Sequence, residues 1–373
     1  MESMRKVKVC HLTSAHPVDD ARIFYKECIS LYEEGYEVSL VVPNTEETIR
    51  NGVSIHSFKR QKKGRMHRFY TIVKLVYNRA VEIDADIYHL HDPELLSIAL
   101  KLRRKTGAKV IFDSHEDVEK QLLNKIWIRR YQRTIIAFFY ARFEKFICKR
   151  IDGVISVTPT ICKRFSKINS KVELIANYPI IQSHLKEQVI EKKANSICYV
   201  GGLFRSRGIL ELVKSLEHCD AILHLAGLFE SQEFEDEVRQ TKGWQQVKYY
   251  GLVNREKINE MLHFSNIGIV TLHPTPSYLE AYPIKLFEYM EAGIAILASD
   301  FPLYRELMEK YDCGHFVDPM DSKKIGSVIT QMLNDKERSL NQGLNGIRAV
   351  KEKYNWSHEK KKLIDFYSKI CPS

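Results

Sequence analysis

Short apolar runs rich in β-branched residues alternate with amphipathic helical stretches along nearly the whole chain, and this alternation restricts the fold more than any other feature. The runs Val7–Leu12, Glu37–Val42, Ile87–Leu90, Lys109–Phe112, Gly153–Val157 and Val172–Ile175 are near-continuously apolar, which suits strands covered on both faces of a parallel sheet. Ala21 to Glu34 reads as a helix between the first two, ending at Gly35. The polar segment from Ile181 to Lys193 has no strand pattern and reads as a linker. After it the alternation starts afresh, with strands Ile197–Val200, Ala221–Leu225, Val247–Tyr250, Ile267–Thr271 and Ile294–Ala298. Helices are expected near Ile209–Leu216, Glu256–His263, Ile284–Ala292, Lys323–Asn334 and Trp356–Ile370.

At roughly 150 residues per domain, a chain of 373 residues has room for two such α/β units. The expected fold is α/β, with two Rossmann-like doubly wound domains facing across a cleft. The expected division is residues 1–180, residues 194–350, and a C-terminal helix within 351–373. In such sheets ligands bind beyond the carboxyl ends of the strands.

Composition excludes collagen-like, low-complexity and disordered classes, at 44% hydrophobic and 28% charged with 17 Gly and 11 Pro. The eight cysteines show no CxxC pair and no zinc spacing, so they read as reduced thiols of a cytoplasmic protein. The amino terminus lacks a signal-peptide pattern, and no run approaches the ~18 apolar residues of a spanning helix. The net charge of +10 is uneven: residues 1–180 hold 32 basic and 21 acidic side chains, whereas the remainder is nearly balanced.

The stretch from Pro276 to Asp300 carries the most chemical information. It reads as loop, helix, tight turn and strand, with Pro283 suited to the first helical position and the amides of Ile284, Lys285 and Leu286 at the helix amino terminus. Free amides at the positive end of a helix bind phosphate. Glu280 and Glu288 bracket this turn, and carboxylates accept hydrogen bonds from paired sugar hydroxyls. A ligand with sugar on both flanks of a phosphate, a nucleotide sugar, suits that pattern. The plainer reading has Glu280 capping the helix and Glu288 facing solvent.

The spacing E-x7-E, followed by Gly293 and an apolar strand, resembles the family 4 retaining glycosyltransferases of the GT-B fold. Supporting segments occur in that family's order: HLTSAHPVDDARIFYKE, HLHDPELL, DSHED, YVGGLFRSRGILELV, YYGLVNREKINEML and VDPMD. The resemblance implies a hexosyltransferase that moves a sugar from a nucleoside diphosphate sugar to a hydroxyl with retention, in polysaccharide or glycolipid assembly, with no cofactor and no metal. It returns the C-terminal helix of 351–373 to the first domain and places the donor on the second, at Gly201, Gly202, Arg205, Arg207, Lys285, Leu286 and Glu288. In the family pattern Gly-Arg-x4-Lys-Gly, Gly202 occupies the usual arginine position and Arg207 the lysine position. Arg205 is left to replace the missing cation, and both arginines read otherwise as solvated turn residues. His115, Glu280, Arg207 and Lys285 are the catalytic candidates, with His115 carried over as the residue against the donor sugar. His16, Arg22, His91 and Asp92 fall on the acceptor side, although a helix cap at Asp20 explains part of that pattern equally well.

Other readings remain at this point. A nucleotide-sugar epimerase of the same fold shares the donor site. His89, His91 and His115, with Asp92, Glu116 and Asp117, stand at two strand ends in the manner of a metal-dependent hydrolase, although no HExxH occurs. Asp84-Ala85-Asp86 precedes a strand and so belongs to the end of the sheet away from the ligand. The absence of GxGxxG argues against a nicotinamide dehydrogenase.

Two basic stretches complete the picture. Lys59–Arg79 holds eight basic residues and no acid, and Lys120–Arg150 holds nine against Glu144 alone, interleaved with Trp127, Tyr131, Phe138, Phe139, Tyr140, Phe143 and Phe146. Cations beside aromatics suit an anionic membrane surface, giving a peripheral protein of the inner face. A solvated helix face is the simpler alternative, and no nucleic-acid module is present.

Overall fold

The computed structural model describes residues 5–59, 68–124, 129–181 and 192–371. The chain divides into two units, one running to Asn177 and taking in Trp356 onward, the other Tyr178–Asn355. The linker expected at 181–193 lies almost wholly outside the described residues.

The first unit is built on an eight-stranded sheet. Its strands are β1 (Lys8–Leu12), β2 (Glu37–Pro43), β3 (Thr48–Arg50), β4 (Val53–Phe58), β5 (Ile87–Leu90), β6 (Lys109–Ser114), β7 (Gly153–Ser156) and β8 (Val172–Leu174), in the order β3-β4-β2-β1-β5-β6-β7-β8. Every pairing is parallel except β3 with β4. The β3–β4 hairpin was not anticipated, yet its signal is present: Asn51-Gly52 adopts positive φ at both residues, the turn that matches the twist of a two-residue hairpin.

One face of this sheet is covered by Val73, Val76, Ala80, Leu95, Leu96, Leu102 and Phe165. The other packs on Ile23, Phe24 and Leu31, together with Trp356, Leu363, Phe366, Tyr367 and Ile370 of the C-terminal helix. That helix, Trp356–Ile370, is therefore a structural layer of the first unit. Its large side chains contribute roughly 2 kcal/mol each by burial. Trp356 Nε1 donates to Ser30 Oγ at 2.9 Å, and Glu359 accepts from the Ala176 amide at 2.8 Å.

The expected Ala21–Glu34 helix begins as a π-helical stretch, Ala21–Cys28, and becomes α-helical over Ile29–Glu33. The wider turn brings Arg22, Lys26 and Glu27 inward as well as Ile23 and Phe24. Asp20 caps it, accepting from the amides of Arg22 and Ile23, both at 2.9 Å, and its carboxylate also meets His16 at 3.1 Å. These partners hold the Asp20 carboxyl below its ordinary range. Asp20→Ala is expected to destabilise the chain by about 1 kcal/mol at pH 7. Because the carboxyl titrates lower when folded, that difference should persist above pH ~4 and close as the pH falls below it, which urea titrations of both proteins would measure.

The second unit carries a six-stranded, all-parallel sheet: β9 (Ser196–Val200), β10 (Ile222–Ala226), β11 (Val247–Gly251), β12 (Ile267–Val270), β13 (Ala295–Ser299) and β14 (Gly314–Val317), in the order β11-β10-β9-β12-β13-β14. Chain order reverses between β9 and β12, the switch point at which doubly wound sheets open a crevice at their strand ends. In the first unit the corresponding reversal lies between β1 and β5. The short β14 and the helices Pro302–Met308 and Lys336–Glu352 went unread in the sequence.

Candidate functional site

In the second unit the chain leaves β9 at Val200 and turns at Gly201, whose φ of +130° disfavours any residue with a Cβ. A Cβ there would also lie 2.5 Å from Lys285 Cε and 3.5 Å from Arg207 Nη1. The glycine thus lets two cationic side chains close over the backbone. Lys285 Nζ donates to Tyr199 Oη at 2.7 Å and lies 4.1 Å from the centre of that ring, while Tyr199 Oη donates to the Gly202 carbonyl at 3.1 Å. Arg207 approaches the same carbonyl at 3.3 Å and stacks over Phe204. Among the described residues neither cation forms an ion pair. Burial, reinforced by Arg207, lowers Lys285 to about 7.

Lys285 sits in the first turn of the helix Ile284–Glu291. Pro283 is not the first helical residue as expected: it is the cap, with extended ψ of 118°, and its carbonyl accepts from the Leu286 amide at 3.0 Å. The anion-binding amides of that turn are accordingly those of Ile284 and Lys285, with Leu286 engaged. Glu280 ends a separate turn, Tyr278–Glu280, ahead of the Pro283 cap. Glu288 does not simply face solvent; it pairs with Arg255 at 2.7 Å.

Arg205, the candidate for the missing family cation, is held by neighbours of its own. Its guanidinium is bound by Glu237 and stacks over Phe234, 4.7 Å from the ring centre, and its amide donates to Glu230 at 3.0 Å. The Arg205 guanidinium is thus matched by a carboxylate, whereas Arg207 and Lys285 converge without an ion-pair partner among the described residues.

In the first unit, the strand register sets His11 of β1 beside His89 of β5. The alternation of a strand then carries His91 to the same side as His89, and His115 to that of Asp113. His91 Nε2 meets His11 Nδ1 at 2.9 Å, and its Nδ1 lies 3.4 Å from His115 Nε2. His115 Nε2 is 3.0 Å from Asp113 Oδ2. Arg22 donates to both oxygens of Asp113, at 2.7 and 3.0 Å, to the Ile175 carbonyl at 3.0 Å, and stands 3.0 Å from Glu27.

His16, Arg22, His91, Asp92 and His115 are thereby brought together. Only His16 and His115 retain appreciable exposure. Arg22 and His91 lie behind them, buried, so neither presents a free surface to an acceptor. Asp92 accepts from Thr13 Oγ1 at 2.8 Å and from the Ser14 amide at 2.6 Å, tying the loops after β1 and β5 across the switch point. Burial holds His91 at about 4 and His11 and His89 well below their ordinary value, so all three are neutral imidazoles at pH 7. Arg22 holds the Asp113 carboxyl well below its usual range despite its burial. Asp113 was not singled out from the sequence, although its place two residues before His115 at a strand end was the available signal.

Two groups of metal-ligand types lie within reach here: His91, Asp113 and His115, and His11, Glu27, His89 and His91. Arg22 engages both oxygens of Asp113 and abuts Glu27, and a fixed guanidinium at that position opposes a second cation. His89 is fully buried and bonded to Tyr367 Oη at 2.7 Å. The arrangement is that of a buried polar network more than of an open hydrolytic centre.

Of the basic stretches, Arg60, Lys62, Lys63, Arg65, Lys125 and Trp127 lie outside the described residues, as do the side chains of Arg68 and Arg130. Arg79 is matched by Glu47 at 2.5 Å and Glu82 at 3.0 Å. Among the described residues no helix is long and apolar enough to cross a membrane.

Two Rossmann-like parallel-sheet units in one chain constitute the GT-B fold, which solved structures share over almost their full length. Sucrose-phosphate synthase from Thermosynechococcus elongatus aligns with a TM-score of 0.77 at 18% identity, covering 98% of this chain and 99% of that one. Anabaena HepE, solved in complex with UDP-glucose, aligns at 0.71 and 15% identity, covering 97% and 99%. The family model for Glycosyltransferase Family 4 matches residues 21–178, and that for Glycosyl transferases group 1 matches residues 181–349. The chain belongs to the family 4 glycosyltransferases. Among curated proteins, phosphatidyl-myo-inositol mannosyltransferase of Mycobacterium leprae is 29% identical over 97 residues, a match that spans 25% of each chain.

Proposed function

We propose that this protein transfers a hexosyl group from a nucleoside diphosphate sugar to a hydroxyl of a glycan or lipid-linked acceptor, with retention at the anomeric carbon, in cell-surface polysaccharide or glycolipid assembly at the cytoplasmic face of a membrane. The observation that carries the reading is the convergence of Lys285 and Arg207, without a carboxylate partner, over Gly201 beside a helix amino terminus. A pair of unmatched cations next to free amides is a built site for a diphosphate.

The second unit holds the donor in this reading. Arg207, Lys285 and the amides of Ile284 and Lys285 stabilise the negative charge that develops on the departing diphosphate, as preorganised electrostatics. Glu280 orients the sugar through its hydroxyls, and Glu288 exchanges Arg255 for the ribose. The first unit takes the acceptor, with His16 and His115 as its accessible side chains, and His115 is carried over as the group against the transferred sugar. The acceptor oxygen attacks the anomeric carbon on the face from which the phosphate oxygen leaves. The carbon–phosphate-oxygen bond breaks, and the hydroxyl proton passes to that oxygen. No step requires a metal or cofactor.

The test is a thermal-shift panel of UDP-, GDP-, ADP- and CDP-sugars in chelator, with wild type and Glu288→Ala. A ligand at 100 times its Kd adds about 2.7 kcal/mol of stability, well within reach of the assay. One nucleotide should stabilise the wild type and stabilise the variant much less. Stabilisation by zinc or manganese alone, with none by any nucleotide sugar, would turn the reading toward the histidine cluster. Nucleotide release strictly dependent on an acceptor would argue against the epimerase, whereas conversion of the nucleotide sugar to its epimer without acceptor would favour it.

A further inference from the structure

The helix Arg130–Cys148 of the first unit carries an outer face that an isolated water-soluble helix would not show. Tyr131, Phe138, Phe139 and Phe146 are 58%, 53%, 66% and 51% exposed, and Ile135 and Ile136 join them. Their spacing, near i, i+4, i+7, i+8 and i+15, lines one side of the helix. The opposite side carries Ala137, Glu144, Ile147 and Cys148, all buried. Tyr131, Phe138, Phe139 and Phe146 therefore stand outside the core, because the inward stripe is filled by other residues. A contiguous apolar row of this length on a surface marks a contact with something else.

The charge around the row says what that something is. Arg142, Lys145, Lys149 and Arg150 are exposed beside it. Arg142 and Arg150 lie over the rings of Phe138 and Phe146, 4.9 and 3.7 Å from their centres. The single acid of the helix, Glu144, is buried and bound by Arg164 and Tyr140, so no carboxylate of this helix shares the exposed face. A second copy seated on this face would set four cations against the same four cations. Anionic headgroups over an apolar interior complement it in both respects.

We propose that the exposed face of the Arg130–Cys148 helix docks the chain on an anionic lipid bilayer, with Tyr131, Ile135, Phe138, Phe139 and Phe146 entering the interface and the basic residues meeting headgroup phosphates. The proposal deepens the transferase reading by naming the surface through which a lipid-linked acceptor is reached, and it rests on that reading for its purpose alone. The docked helix is tied to the loop that bears His115. Arg164 binds Glu144 of the helix and lies 3.7 Å from Asp117, two residues beyond His115.

The test is co-sedimentation of the full chain with vesicles of phosphatidylcholine alone or mixed with phosphatidylglycerol, for wild type, Phe138→Ser/Phe139→Ser and Arg142→Glu/Lys149→Glu. Wild type should pellet with the mixed vesicles at low salt and much less with neutral ones. Each double variant should lower the bound fraction at least about fivefold while keeping the wild-type melting temperature. Every substituted residue is exposed, and the charge variant decides the matter if the serine variant does not fold. Wild type remaining in the supernatant with mixed vesicles at low salt would overturn the proposal. So would serine and charge variants that bind as wild type does, or a wild-type dimer in light scattering that the serine variant converts to monomer, which would assign the face to a second copy. Nucleotide-sugar stabilisation of the same variants separates this outcome from the donor reading: loss of vesicle binding with that stabilisation intact concerns the docking face alone.

Discussion

Lys285→Met is expected to weaken nucleotide-sugar binding by about 100-fold or more and, in the same protein, to raise the melting temperature of the unliganded chain. The first effect follows from removing one of two preorganised cations at a phosphate site, where truncating one partner of a buried charged contact commonly costs ~2–5 kcal/mol of binding. The second follows from the environment of the amine. It is desolvated, bonded to Tyr199 and set beside Arg207, and it titrates near 7 in place of about 10.5. Between those values the unfolded chain holds a proton that the folded chain lacks, so this group's contribution to stability rises with pH. The stabilisation conferred by methionine, about 1 kcal/mol or more, should therefore be largest below pH 7 and should disappear toward pH 10.5. A diphosphate supplies the missing countercharge and raises the amine's pKa. Donor binding then takes up a proton, and affinity should fall as the pH rises above 7. Calorimetric titrations at several pH values, paired with melts of the free proteins, measure both effects. A variant that binds normally would remove Lys285 from the donor site.

Arg22→Met should cost about 3–5 kcal/mol, because it leaves the Asp113 carboxylate buried without its cation. Arg22→Lys should recover only part of that loss. The guanidinium makes two bonds to Asp113 and a third to the Ile175 carbonyl, and a lysine ammonium has no fork to reproduce them. Arg22→Met combined with Asp113→Leu should be less destabilised than the sum of the single variants, since the pair is removed together. The Asp113 carboxyl titrates well below its ordinary value in the folded chain, so its contribution is present above pH ~4 and is lost as acid drives the pH toward that lower value. Urea unfolding of the four proteins completes the cycle. A double variant whose loss equals the sum of the two single losses would show that Arg22 and Asp113 are not coupled.

Much of this architecture is legible in the order of residues. Runs such as Lys8–Leu12, Ile87–Leu90 and Ser196–Val200 are apolar without interruption because both of their faces are covered, and that pattern survives any tertiary detail. The C-terminal helix occupies the span its periodicity indicates, Trp356–Ile370. Short or mixed strands were harder. Val53–Phe58 alternates polar and apolar residues and declares itself only through the Asn51-Gly52 turn, and Gly314–Val317 is too brief for any period to emerge.

The candidate site divides in the same way. Gly201, Arg207 and Lys285 could be nominated from spacing because a strand end, a glycine turn and a helix start are local events. The fate of Arg205 was not local: Glu237, thirty-two residues away in sequence, captures its guanidinium. Arg22 was assigned to the acceptor side, but a π-helical turn rotates it inward to Asp113, ninety-one residues on. The aromatics between Tyr131 and Phe146 carry the periodicity of an amphipathic helix, and only packing shows that the stripe facing the sheet is the other one.

The sequence by itself determined the two α/β units, the positions of most strands, and the presence of a phosphate-suited turn between Glu280 and Glu288. Those properties arise from short-range hydrophobic patterning and backbone chemistry. Tertiary structure alone decided which charges meet, which cations stay unmatched, and which face of a helix is left to solvent. Ion pairing and burial depend on through-space neighbours that lie tens of residues apart along the chain.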